Sequence, residues 1–338
     1  MLTLSILDQS PIASGSTARR ALQQTVELAQ AAERLGYKRF WVSEHHDATT
    51  LAGSTPEVLI AHLAAKTEHI RIGSGGVMLP HYSAYKVAEN FRMLEALYPG
   101  RIDLGIGRAP GGMPIATMAL NEGKRRDIDR YPEQVEDLIA YVSDTVPDNH
   151  RFHGLTATPV VDTIPEIWLL GSSNGSAAIA AQKGTAYSFA HFINGEGGEQ
   201  AMAAYRRHFQ PSVLYEKPQT SVAIFVVCAP TDEEADRLAS SLDLSLLFTA
   251  NGQKSDGTPT IEMAESYPYS PYELAFIREN RKRMIVGSPE TVKQRIEALA
   301  AAYGTEEVVA VTITHSFSHR LRSYELLADA FQLQPRKS

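Results

Sequence analysis

"IRIGSGGVMLPHYSAYKVAENFRMLEALYPGRIDLGIGR", residues 70–108, carries a strand, a helix and a second strand in one passage. Its first part, "IRIGSGGVML" (70–79), is a short apolar run that reads as a strand. "AYKVAENFRMLEAL" (84–97) reads as a helix and "RIDLGIG" (101–107) as the next strand. Strands joined through a helix run parallel, because a tight hairpin turn joins only antiparallel neighbours. The unit repeats on both sides. Upstream, "LTLSIL" (2–7) is a strand. The helix after it is capped by Ser16 or Thr17, ends at Gly36, and sets Leu22, Val26, Ala29, Ala32 and Leu35 on one face. "KRFWVS" (38–43) is the second strand, followed by a helix in "PEVLIAHLAAKT" (56–67) with proline in its first turn. Downstream, a helix around "PEQVEDLIAYV" precedes the strand "EIWLLG" (166–171). A small-residue helix through Ala181 leads to "TAYSFAHF" (185–192), and a helix near 197–209 leads to "SVAIFVVCA" (221–229). "EEVVAVTIT" (306–314) is the eighth strand and "LRSYELLADAF" the last helix. Eight strand–helix units in 338 residues predict an α/β protein, a closed (β/α)8 TIM barrel, with residues 1–338 as a single domain.

Composition narrows the function. Hydrophobic residues make up 43% of the chain and charged residues 21%, enough for a large buried core. A net charge of −7 and a pI near 5.9 argue against nucleic-acid or anionic-membrane partners, which select basic surfaces. No apolar run reaches the ~18 residues that cross a bilayer. The N-terminus, "MLTLSILDQSP", lacks a basic segment and a cleavage-like site, so the expected location is the cytoplasm. The one cysteine, Cys228, lies in an apolar run and reads as a buried structural thiol. Two long segments interrupt the repeat, residues 108–130 and 250–285. Placed on the C-terminal face of a barrel, they would border the active site as insertions, with the second as a lid.

The strand ends carry the chemistry. The second strand ends in Glu44-His45-His46, the third in Ser74-Gly75-Gly76, the fourth in Gly107-Arg108 and the fifth in Gly171-Ser172-Ser173. Parallel strands bring such ends to one ligand-binding rim. In "GSSNGSAAIAAQKG" (171–184), Ser172, Ser173 and Ser176 stand where a strand turns into a helix, a place suited to phosphate. The same letters satisfy G-x-S-x-G, with Ser173 as the nucleophile of a hydrolase and Asp232 and His315 as partners. A plain capped helix is the third reading. Arg108 on the neighbouring strand end favours phosphate. Gly75-Gly76 reads either as a bulge or as bare backbone approached by a flat ligand. "GIGRAPGG" (105–112) has the wrong spacing, and Pro110, for a dinucleotide loop. Neither His45-His46 nor His315 and His319 has the context of a metal site, and none is expected. Strand alternation groups His45 with Ser43 and Trp41, and Glu44 with Val42 and Phe40. His45 and Glu44 therefore face different ways, and His46 has no assigned role.

Taken together, "GYKRFWVSEHH" (36–46), residues 70–108, "EIWLLGSSNGSAAIAAQKG" (166–184) and "VGSPETVKQRI" (286–296) resemble the bacterial-luciferase-like flavin-dependent monooxygenases over nearly the whole chain. The resemblance implies a TIM barrel, often dimeric, that binds FMN or a deazaflavin at the C-terminal rim. It matches His45 to the catalytic histidine beside the flavin, with Glu44 supporting it. Ser74, Gly75 and Gly76 match the ring-supporting strand end, Gly75-Gly76 falling where a non-prolyl cis peptide is often found. Arg108, Ser172, Ser173 and Ser176 match the grip on the cofactor phosphate, which Arg130 could join. Residues 250–285 match a mobile closing loop. Gly107 departs from the reactive cysteine of the light-emitting enzyme, so bioluminescence is not expected. The implied activity is that of a monooxygenase using reduced FMN from a separate flavin reductase, molecular oxygen and a small organic substrate, with a homodimer as the assembly. The alternatives are a deazaflavin-dependent hydride-transfer enzyme, a serine hydrolase using Ser173, and a flavin carrier without catalysis. Gln9, Phe189 and His191 are the expected pocket-lining residues.

Overall fold

The computed structural model describes residues 2–124 and 127–334. The domain expected over 1–338 and the insertion expected over 108–130 also include Met1, Arg125, Arg126 and 335–338, which lie outside the described residues. The parallel strands are β1 (Thr3–Asp8), β2 (Arg39–Val42), β3 (Arg71–Met78), β4 (Ile102–Gly107), β5 (Glu166–Gly171), β6 (Ala186–Ala190), β7 (Thr220–Cys228), β8 (Met284–Gly287) and β9 (Glu307–Val311). Strands β1 to β7 and β9 close the eight-stranded barrel expected from the sequence: β6 pairs with β7, β7 with β9, and β9 with β1. The first helix, Ala18–Leu35, starts at Thr17, whose hydroxyl accepts the Arg20 N–H, and stops at left-handed Gly36. No helix among the described residues is long and apolar enough to cross a membrane.

Strand β8 corrects the reading of 250–285 as an insertion throughout. The four residues "MIVG" follow the charged run "RENRKR" and are too few for alternation to show. They are a strand because Phe225–Cys228, the part of β7 beyond its pairing with β6, offers an edge to Met284–Gly287. The rest of the segment is helical, with Ile261–Ser266 and Pro271–Arg281. The preceding helix, Asp232–Ala250, is a further element beyond those read from the sequence; Thr231 caps it.

Strand alternation sorts the barrel into two cores. Outward residues such as Ile6, Phe40, Val42, Leu104 and Ile106 pack against the helices. Inward residues Leu7, Trp41, Trp168, Phe225 and Val309 fill the lumen, where the two indoles meet edge to face at 5.4 Å. Beneath them lies Arg39, 1% exposed, with its guanidinium 4.7 Å from the Trp168 ring centre. Arg39 Nε donates to Glu307 Oε1 at 2.7 Å, and Nη1 donates to Asp103 Oδ2 at 2.6 Å and Glu166 Oε2 at 3.0 Å. Arg71 adds a 2.7 Å bond to Asp103, and Lys38 a 2.7 Å bond to Glu307. Burial by itself would raise both carboxyls, but Arg39, with Arg71 at Asp103 and Lys38 at Glu307, holds both below the ordinary carboxylate range.

Removing Arg39 would strand Asp103 and Glu307 as under-compensated buried charges. Arg39→Met is expected to destabilise the fold by about 3–5 kcal/mol, read as a lower urea midpoint. An unchanged midpoint would show that the cluster does not hold the barrel floor. Because both carboxyls are depressed in the fold, their contribution is present above about pH 4 and is lost as pH falls through their folded values.

Candidate active site

The end of β2 divides its side chains as alternation requires. His45 Nδ1 lies 3.1 Å from Ser43 Oγ, on the same side of the strand as Trp41. Its backbone N–H donates to Gly53 O at 2.8 Å. Burial, aided by the charge of neighbouring His46, pushes the His45 pKa down to about 4, so the ring is neutral at pH 7. A neutral imidazole can take up a proton or donate one ring N–H hydrogen bond. Glu44 turns the other way, and its carboxylate is fully buried. It accepts from His46 Nε2 at 2.7 Å, Tyr82 Oη at 2.8 Å and Met78 N–H at 3.1 Å. The support expected from Glu44 is thus directed at His46 and not, by a direct bond, at His45. Tyr82 and Met78 carried no sequence signal for this role, because nothing local pairs them with a residue more than thirty positions away.

Gly75 and Gly76 sit at the irregularity that the bulge reading expects. The β3–β4 register shifts between Ser74 and Val77, and the Gly75–Gly76 peptide is cis. A Cβ on Gly75 would come within 2.6 Å of Leu7, and one on Gly76 within 2.7 Å of the Gly105 carbonyl. The Gly105 main chain therefore requires glycine at 76, whereas at 75 the neighbour that must give way is the end of the Leu7 side chain. Ser74 sends its hydroxyl to Gly105 O at 2.8 Å, which ties β3 to β4. Arg108 leaves the end of β4 exposed, with its charge acting on the buried Tyr131 phenol. The glycine-rich run after it also has a reason. A Cβ on Gly112 would stand 2.3 Å from the His46 carbonyl, and left-handed Gly111 lies against Met78 and His46.

At the end of β5, Ser173 caps the helix Asn174–Lys183 by accepting the Ser176 N–H. Ser176 donates to Ser173 O at 2.8 Å and lies 3.0 Å from Tyr187 Oη. Ser172 is held through its carbonyl by Asn194 at 3.0 Å. The exposed Ser173 hydroxyl, the helix N-terminus and the Arg108 cation on the adjacent strand form a donor set suited to phosphate. Ser173, Asp232 and His315 do not assemble as a hydrolase triad. Ser173 is extended at φ −152° rather than strained, Asp232 receives Ser288 and Thr291, and His315 lies 3.3 Å from Ser14 O. Arg130 pairs with Glu133 at 3.0 Å. Phe189 and His191 point outward, contrary to expectation: both meet Tyr303 of the helix Pro289–Tyr303, His191 Nδ1 at 2.7 Å from its hydroxyl. Gln9 is half-buried just past the end of β1.

The second insertion is stitched to the loop after β1. Thr258 N–H donates to Ile12 O at 2.7 Å, Ser14 N–H returns to Thr258 O at 3.0 Å, and Ser14 Oγ reaches Asp256 at 2.8 Å. The same loop bonds to the segment after β2 through Ile12 N–H to Thr50 O and Ala52 N–H to Ser10 O. Main-chain bonds thus link the insertion to the segment that holds His45. The depressed basicity of His45 can be tested by following its ring protons by NMR against pH. Midpoint protonation is expected near pH 4; a midpoint near 6.5 would mean that the ring is solvated.

The chain was compared with known proteins. Residues 2–306 match the family described as luciferase-like monooxygenase. YwcH of Bacillus subtilis (strain 168) is 61% identical over 98% of this chain and 99% of its own. The N-acetyl-S-alkylcysteine monooxygenase of the same organism is 42% identical over 98% of each chain. Among solved structures, apo-MsnO8 superposes with a TM-score of 0.92 at 41% identity, covering 99% of this chain and 100% of that one. The oxygenating constituent of 3,6-diketocamphane monooxygenase from Pseudomonas putida, in complex with FMN, shares the fold at a TM-score of 0.69 and 20% identity, with 100% and 99% of the chains covered. The closed parallel barrel and this match over most of its length place the chain in the luciferase-like monooxygenase family.

Proposed function

We propose that this chain is the oxygenase of a two-component monooxygenase, working as a single-domain homodimer with reduced FMN from a separate reductase. The observation that carries the reading is the placement of His45, Arg108 and Ser172–Ser176 at or just past the C-terminal ends of β2, β4 and β5, with Gly75–Gly76 in the second half of β3 between them. The residues fit the cofactor. Arg108, Ser172, Ser173 and Ser176 would hold its phosphate, and the bare backbone of Gly75–Gly76 would face its ring. When bound, reduced FMN supplies the two electrons by which one atom of O2 enters the substrate and the other leaves as water. The protein's part is to orient, exclude water and manage protons. Neutral His45, steadied by Ser43, accepts or relays a proton at its ring nitrogen. The segment between Ala250 and Met284 serves as the lid and limits water entry. The substrate class is small and organic. N-acetyl-S-alkylcysteines lead the candidates, because the relative named for them is 42% identical over nearly the full length.

Fluorescence titration separates the cofactor readings: FMN is expected to bind, and preference for a deazaflavin would favour hydride transfer instead. Arg108→Ala is expected to weaken FMN about tenfold or more, while riboflavin, which lacks the phosphate, changes less than about twofold. In a stopped-flow reaction of reduced FMN with oxygen, His45→Ala is expected to lower substrate turnover by about 10²-fold or more. Unchanged turnover would remove His45 from the reaction. Flavin binding without reductase- and oxygen-dependent product would identify a carrier.

A further inference from the structure

The side chain next to the catalytic candidate has the stronger set of structural contacts. His46 Nε2 lies 2.7 Å from Glu44 Oε1, and a carboxylate only accepts, so Nε2 carries the hydrogen. Tyr82 Oη, 3.4 Å from the same nitrogen, also donates to Glu44. Meanwhile His46 N–H donates to Gly111 O at 2.7 Å, and the two segments run parallel at His46 and Gly112. The His81 ring meets the His46 ring edge to face at 6.2 Å and holds the same insertion at two more points. Its Nε2 donates to Pro110 O at 2.8 Å, and its Nδ1 accepts from Asn121 Nδ2 at 3.0 Å. Between these tethers the helix Pro114–Leu120 buries none of its residues. The first insertion is therefore held at Pro110–Gly112 and again at Asn121, and it begins at Arg108, three residues before Gly111.

We propose that His46 is a positioning residue: pinned by Glu44, it docks Pro110–Gly112 and so fixes where Arg108 is presented to an anionic ligand group. The immobile carboxylate sets the ring, the ring and its backbone set the glycine pair, and the glycine pair sets the arginine. This rests on the reading of Arg108 as a phosphate ligand; the docking itself does not.

The experiment uses the full chain with His46→Ala, His46→Gln and Gly112→Ala, probed with FMN and riboflavin. Gly112→Ala forces a Cβ to within 2.3 Å of the His46 carbonyl and undocks the insertion without altering any imidazole. In His46→Ala and Gly112→Ala, amide exchange over residues 109–123 is expected to accelerate about tenfold or more. FMN binding should weaken about tenfold and riboflavin binding by less than about twofold. His46→Gln keeps a donor for Glu44 and should restore most of the loss. General structural damage would weaken both flavins together, and that outcome overturns the proposal. So does unchanged exchange over 109–123 in both disruptive variants, whichever flavin is bound. A wild-type chain that binds no FMN would instead overturn the functional reading and the role given to Arg108, while the exchange data still decide the docking.

Discussion

The buried charge of Arg39 is the constraint around which the barrel is arranged. An eight-stranded lumen must be filled by side chains, and a cation placed there must be matched or the fold loses more than it gains. Strands β2, β3, β4, β5 and β9 each contribute to the match: Arg39, Arg71, Asp103, Glu166 and Glu307 meet at the N-terminal end of the barrel. Trp41 covers this cluster and donates to Asp103 at 2.8 Å, and Trp168 stacks alongside. The floor is therefore polar but sealed. Toward the opposite end the inward glycines are closely packed, Gly75 against Leu7 and Gly105 against the Ser74 carbonyl.

The same alternation that turns Arg39 and Trp41 inward separates the two functions at the end of β2. His45 follows Trp41 and Ser43 and is kept neutral by burial. Glu44 follows Val42 to the outside, where a carboxylate with no water survives because Met78, Tyr82 and His46 all donate to it. One strand end thus serves the lumen with one side chain and the surrounding loops with the next.

The run "VGSPETVKQRI" has an architectural explanation. Ser288 opens the helix Pro289–Tyr303 without capping it through its own side chain. Asp232, at the start of the helix after β7, accepts the Ser288 N–H at 2.6 Å and the Thr291 hydroxyl at 3.2 Å. These bonds hold its carboxyl below the usual range. The aspartate that would have served a hydrolase instead joins the helices that flank the second insertion.

What the sequence determined by itself were the features with a local period. The strands, most of the helices, the parallel order and the opposite facing of His45 and Glu44 follow from alternation, capping and proline–glycine punctuation, all of which act over a few residues. The tertiary structure decided whatever depends on a distant partner. Strand β8 exists because β7 leaves an edge, Phe189 and His191 turn outward onto Tyr303, Gly76 and Gly112 are required by the main chains of Gly105 and His46, and Glu44 closes on Tyr82. "FWVSEHH" announces that a buried strand ends in ionisable groups; which partners those groups meet is set by packing, because hydrogen bonds and close contacts in a dry interior are chosen by geometry and not by sequence distance.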